Sequence, residues 1–156
     1  MEESELTELF RKLGARNPAR LAHSQVTEGI PQLGRFLFLR QAWRQVIAED
    51  DRSWIEEALA TRLEGPGGAI VPALKRLLNA GANEQDLTDI VRVMQGKLLF
   101  NICYLLSDPG DVEPEVRDIN WALFLVDENL EPIDMVGGLH ESVFETEPER
   151  TRDDAS

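Results

Sequence analysis

The chain has 156 residues, 29 acidic against 16 basic, for a net charge of −13, and a single cysteine, Cys103. That length fits one domain able to bury about 70% of its unfolded surface without a metal or disulfide staple. The charge argues against a nucleic-acid groove or an anionic membrane surface as partner, because both need a basic footprint. A lone cysteine cannot close an internal disulfide, which points to a reducing, cytoplasmic setting. No basic-then-apolar leader opens the sequence and no uninterrupted apolar run reaches about 18 residues, so neither a signal peptide nor a membrane span is expected.

In chain order, Leu6, Leu9, Phe10 and Leu13 recur at helical spacing, with Ser4 as a cap and Gly14 as a stop. A short piece over Pro18–His23 follows, its proline suited to a first turn. Pro31–Ile47 carries a wide apolar face (Leu33, Phe36, Leu37, Leu39, Trp43, Val46, Ile47) with Arg40 and Arg44 on another side. Glu49, Asp50 and Asp51 interrupt it. Ser53 with Glu56 offers a capping box for a helix through Leu63 that buries Ile55 and Leu59. Gly65-Pro66-Gly67-Gly68 is a loop; it lacks the strand and the Lys-Ser/Thr of a phosphate-binding loop. Ile70, Leu74, Leu77 and Leu78 mark the next helix, ended by Gly81.

Asn83 caps the longest helix, residues 84–107, on which Leu87, Ile90, Val91, Met94, Leu98, Ile102, Leu105 and Leu106 keep the period. Its second half, Leu98–Leu106, is apolar nearly all round and predicts a central helix covered on most sides. Gly96 marks a close approach or a kink. After a turn at Asp108-Pro109-Gly110-Asp111, Trp121–Val126 reads as a strand, Asp127-Glu128-Asn129 as a turn with Asn129 taking the left-handed conformation, and Ile133–Val136 as the returning strand. Pro132 confines the start of that strand to an edge. Gly137-Gly138 ends it, Leu139–Phe144 forms a last helical turn, and beyond Glu145 disorder is expected.

The fold class that follows is α+β, predominantly helical: about five helices, a C-terminal β-hairpin and a disordered acidic tail. One globular domain is expected over 1–144, helical over 1–107 with the hairpin part at 119–144, and the tail over 145–156. The hairpin is apolar on both faces, and a lone hairpin is marginal in water. One face is expected to lie on the helix 84–107. The other is covered by helices of residues 31–63, or is an interface to a sister subunit or a different protein.

The charge is uneven. Residues 1–107 hold 13 basic and 14 acidic side chains, whereas residues 108–156 hold three basic against 15 acidic, a net of −12. That asymmetry suits an acidic face steering a basic protein partner. The candidate contact residues are Asp111, Glu113, Glu115, Asp127, Glu128, Glu131 and Asp134, with Trp121 and Phe124 as apolar anchors. Two basic strips of the first part (Arg11, Lys12, Arg16 and Arg20; Arg35, Arg40 and Arg44) are expected to balance the acidic C-terminal region within the fold or between subunits.

The sequence offers no C-x-x-C, no H-E-x-x-H, no Ser-His-Asp order and no glycine fingerprint. No catalytic set, metal site or cofactor is therefore expected. The expected function is a non-catalytic, cytoplasmic binding protein of the immunity or inhibitor type that occludes a basic partner, with a homodimer as a further possibility. The alternative is a small-ligand or enzymatic domain whose pocket, between the helix 84–107 and the hairpin, uses His140 as a base beside Glu141 and Asn101. Cys103, set in an apolar run, reads as a buried hydrophobe.

Overall fold

In a computed structural model the chain is mostly helical, with one two-stranded antiparallel sheet near the C-terminus. The structure describes residues 1–62, 64–65, 67–108, 110 and 113–148. The expectations for Leu63, Pro66, Pro109, Asp111 and the tail beyond 148 lie outside the described residues. The elements are α1 (Glu3–Lys12), α2 (Pro18–Glu28), α3 (Gln32–Trp43), α4 (Ser53–Leu59), α5 (Ile70–Asn79), α6 (Glu84–Ser107), a 3-10 turn (Pro114–Val116), β1 (Phe124–Val126), β2 (Pro132–Met135) and α7 (Leu139–Ser142). They form two compact units, one of residues 1–44 with the described residues of 98–148 and one of described residues within 45–97, so α6 contributes a part to each.

In the first unit the α1 stripe closes on α2 and α3. Leu6, Phe10, Ala22 and Phe36 form a buried cluster, in which the Phe10 and Phe36 rings meet edge to face at 5.8 Å. Glu2, not Ser4, opens α1, its backbone N–H donating to the Glu5 carboxylate at 3.0 Å. The piece expected over Pro18–His23 continues to Glu28, where Gly29 takes the left-handed conformation (φ 70°) that a helix end favours. Further along, Trp43 Nε1 donates to the Val143 carbonyl at 2.8 Å, and Leu39, Cys103, Val136, Leu139 and Val143 are buried.

Of the two covers expected for the hairpin, a helix from residues 31–63 is the one observed, while the other face stays open. Phe124 pairs with Met135, Leu125 with Asp134 and Val126 with Pro132, which leaves Ile133 as an extra residue in β2. Leu125 points at α3, where it lies against Gly34. The covering helix is thus α3, whose glycine removes the side chain that would keep a strand away. Phe124, Val126 and Met135 on the other face stay exposed. The turn is closed by Asp127, whose Oδ1 accepts from the N–H groups of Asn129 and Glu131. The left-handed residue is Leu130 (φ 65°), not Asn129.

In the second unit α3 has already ended, short of Ile47. The Ile47 backbone is taken up by side chains of α6: its N–H donates to Gln95 and its carbonyl accepts from Arg92. Gln85 reaches the Glu49 carbonyl and Thr88 the Asp51 carbonyl. Gln85, Thr88, Arg92 and Gln95 follow one another at spacings of three, four and three, so they form a single polar face that holds the loop 47–51. Ser53 is the first residue of α4 and not its cap, which is Arg52; the Asp51 carboxylate just before accepts from both the N–H and the hydroxyl of Ser53. Ile55, Val71 and Leu74 are buried here, and Trp54 Nε1 donates to the fully buried Thr88 hydroxyl at 2.9 Å.

The expectation that α6 is covered on most sides does not hold. Ile90, Val93 and Met94 are exposed, as are Leu98, Ile102, Tyr104 and Leu105, with Met94 at 61% and Leu98 at 58% exposure. The polar face turns inward in the second unit, which leaves Ile90, Val93 and Met94 outward, with Leu87 and Val91 half-buried between. By length and composition alone α6 would suffice to cross a membrane.

Candidate functional site

The acidic residues expected to meet a partner are placed by the 3-10 turn and by the hairpin. Glu113, Glu115, Glu128, Glu131 and Asp134 are exposed, and among the described residues none of them forms an ion pair. Asp127 is different. Its carboxylate accepts two backbone N–H bonds inside the turn, that of Glu131 first, which hold its carboxyl below the usual range. It shapes the turn that presents Glu128 and Glu131. Asp111 lies outside the described residues.

Both aromatic candidates are accessible. Trp121 Nε1 donates to the Leu105 carbonyl at 2.7 Å, satisfying one of the carbonyls that the C-terminal turn of α6 leaves without a helical partner. The ring itself remains 43% exposed, and Leu105 beside it is exposed as well. Phe124 is 47% exposed on the open face of the hairpin, in line with Val126 and opposite Met135. Burying a side chain of this size is worth roughly 1.5–3 kcal/mol, so an open face of this composition gains from being covered.

The second set is dispersed. His140 meets aromatic rings, not carboxylates: its centroid lies 4.9 Å from that of Tyr104 and 6.0 Å from that of Phe100, both near edge-to-face. Its Nδ1 is buried without a hydrogen-bond partner among the described residues. The neighbouring Glu141 turns to α3 and pairs with Arg35 at 3.3 Å. Asn101 is exposed on α6. Among the described residues no hydrogen bond joins any two of the three. Cys103 is buried, and burial raises its thiol pKa to about 11. Among the described residues no three His, Cys, Asp or Glu side chains are grouped to hold a metal ion.

Sequence reasoning missed the arginine cluster of the first unit as a place. Arg35 is 5% exposed and donates through Nη2 to the Gly138 carbonyl, to Glu141 and to the Ser142 hydroxyl. Arg20 pairs with Glu145, Asn17 donates to the same carboxylate at 3.1 Å, and Arg16 donates to the Glu147 carbonyl at 2.6 Å. The segment 145–148, expected to be disordered, is therefore held across α2. The pairing of early arginines with late acids was legible as charge balance, but only the fold shows that it occurs at Glu141 and Glu145, while Arg16 takes the backbone of Glu147.

Comparison with family models, curated proteins and solved structures finds no match for this chain.

Proposed function

We propose that the protein is a non-catalytic binding protein, of the immunity or inhibitor type, whose C-terminal region docks and occludes a basic protein partner. One observation carries the reading: the hairpin presents Phe124, Val126 and Met135 on an uncovered face while Glu128, Glu131 and Asp134 on the same hairpin have no basic partner within the described chain. An open apolar face on a hairpin that also carries unpaired carboxylates suits a partner with an apolar patch flanked by Lys and Arg. The carboxylates steer the encounter and the aromatic side chains supply the desolvated contact. A second copy of this chain would bring like charges together, so charge favours a different, basic protein.

The test is capture from native lysate at low salt by the wild-type chain, beside Glu128→Lys/Glu131→Lys/Asp134→Lys and beside Phe124→Ser. The reading expects a basic protein that the wild type retains, whose activity falls on binding, and that both variants lose. Equal retention by all three proteins, or retention of acidic proteins only, contradicts it.

A further inference from the structure

A separate site lies in the first unit, where α2, the start of α3, α7 and the segment after it enclose an open cleft of ≈ 360 Å³. Arg20, Ser24, Gln32, Arg35, Ser142 and Glu145 are on its walls. Leu21 and Ile30 supply the apolar part of its lining, and a much smaller adjoining depression shares Leu21, Gln32, Arg35, Ser142 and Glu145 and adds Arg16, Asn17 and Phe36. This volume falls in the range of small-molecule sites, about 300–1,000 Å³.

Two features of the cleft point to the chemistry of a ligand. The first is that its donors already hold a carboxylate, the chain's own: Glu145 accepts from Arg20 and from Asn17. The hydrogen bond from Arg20 is the largest cause holding the Glu145 carboxyl below its usual pKa, as expected when donors favour the charged form. The second is Arg35. Its Nη2 has three acceptors, but its Nε is buried and has none among the described residues. Glu28 and Glu141, also on the walls, are engaged by the Ser24 hydroxyl and by Arg35. Were Glu145 to swing away, Arg20 and Asn17 would be left without an acceptor in a cleft whose Arg35 Nε already lacks one.

We propose that this cleft binds a small carboxylic acid with an apolar body, whose carboxylate takes the place of Glu145 on Arg20 and Asn17 while the body rests on Leu21 and Ile30. Glu145 is then an internal competitor, and its replacement strengthens binding. A purely structural strap predicts no such gain.

The probes are butyrate and benzoate, titrated calorimetrically into the full chain, with 1-butanol as the control that lacks a carboxylate. The proposal expects saturable binding of at least one acid and none of the alcohol. Glu145→Gln should bind about tenfold tighter and Arg20→Ala about tenfold weaker, the size expected for one charge-assisted contact. Arg20 is largely exposed, and circular dichroism checks that its variant is folded; Asn17→Ala gives a second, milder loss. Absence of saturable binding to both wild type and Glu145→Gln overturns the proposal. So does an affinity that neither Glu145→Gln nor Arg20→Ala changes.

Discussion

Leu125 of β1 lies so close to Gly34 of α3 that a β-carbon built on the glycine would stand 2.6 Å from its Cδ1 and 3.1 Å from its Cγ. The hairpin owes its position to that missing side chain. Gly34→Ala gains about 1 kcal/mol of helix propensity but forces Leu125 away from the helix, and overpacking of this kind costs about 1–3 kcal/mol. Denaturant unfolding should show net destabilisation. Leu125→Ala added to Gly34→Ala should cost less than the sum of the two single changes, and simple additivity would rule out the contact as the cause.

Thr88 is the polar member of the second unit's interior. Its hydroxyl accepts from Trp54 Nε1 and donates to the Asp51 carbonyl. Thr88→Val keeps the shape and removes both bonds, leaving the indole N–H unmet, at a cost of about 1–3 kcal/mol. The same substitution at exposed Thr27 should change stability by less than about 0.5 kcal/mol. Unfolding midpoints of the two variants would test the contrast, and equal effects would count against it.

The Arg20–Glu145 pair makes a prediction about pH. The folded-state pKa of Glu145 is depressed, so its contribution to stability is present above the unfolded carboxylate value of about 4.3. That contribution is lost as pH falls through the lower folded value. Arg20→Ala should bring the Glu145 carboxyl back toward its usual range in an NMR titration. The stability gap between wild type and variant should close as the solution is acidified. A gap that widens in acid would reverse the sign and contradict the pairing.

Cys103 has a thiol pushed up to about 11 by burial. A disulfide reagent at pH 8 should leave the folded protein nearly unmodified and react fully once denaturant is added, because the thiolate is the reactive form. Prompt labelling of the native chain would mean that the helix face around Cys103 is open.

Much of the chain's organisation was legible. The apolar spacing of Leu6 and Phe10, the Asn83 cap and the glycine stops at Gly14 and Gly81 all specify helices locally, and local rules suffice for them. The error over α6 has a physical origin. Periodicity finds an apolar face but does not say that it turns inward, and here Gln85, Thr88, Arg92 and Gln95 turn inward instead because they satisfy the backbone of the loop 47–51. That arrangement depends on groups some 35 to 50 residues apart, as from Gln95 to Ile47. A cover for the hairpin from residues 31–63 was legible, and α3 supplies it, but the seat itself, Gly34 against Leu125, depends on a contact about 90 residues apart in sequence that no local pattern marks. Of the candidate site, the charges and the aromatic anchors were visible in the sequence. The division of labour among the acids was not: Asp127 builds a turn, Glu141 and Glu145 face arginines, and Glu128, Glu131 and Asp134 remain unpaired.

The most direct test of the docking proposal is the association rate between this chain and the partner it captures, followed by stopped flow from about 0.01 M to about 1 M salt, over which the Debye length falls from about 30 Å to about 3 Å. The proposal requires the rate to drop tenfold or more across that range while dissociation changes little, and requires Glu128→Lys/Glu131→Lys/Asp134→Lys to flatten the dependence. A rate indifferent to salt, or one that the charge reversal leaves as steep as before, would contradict it.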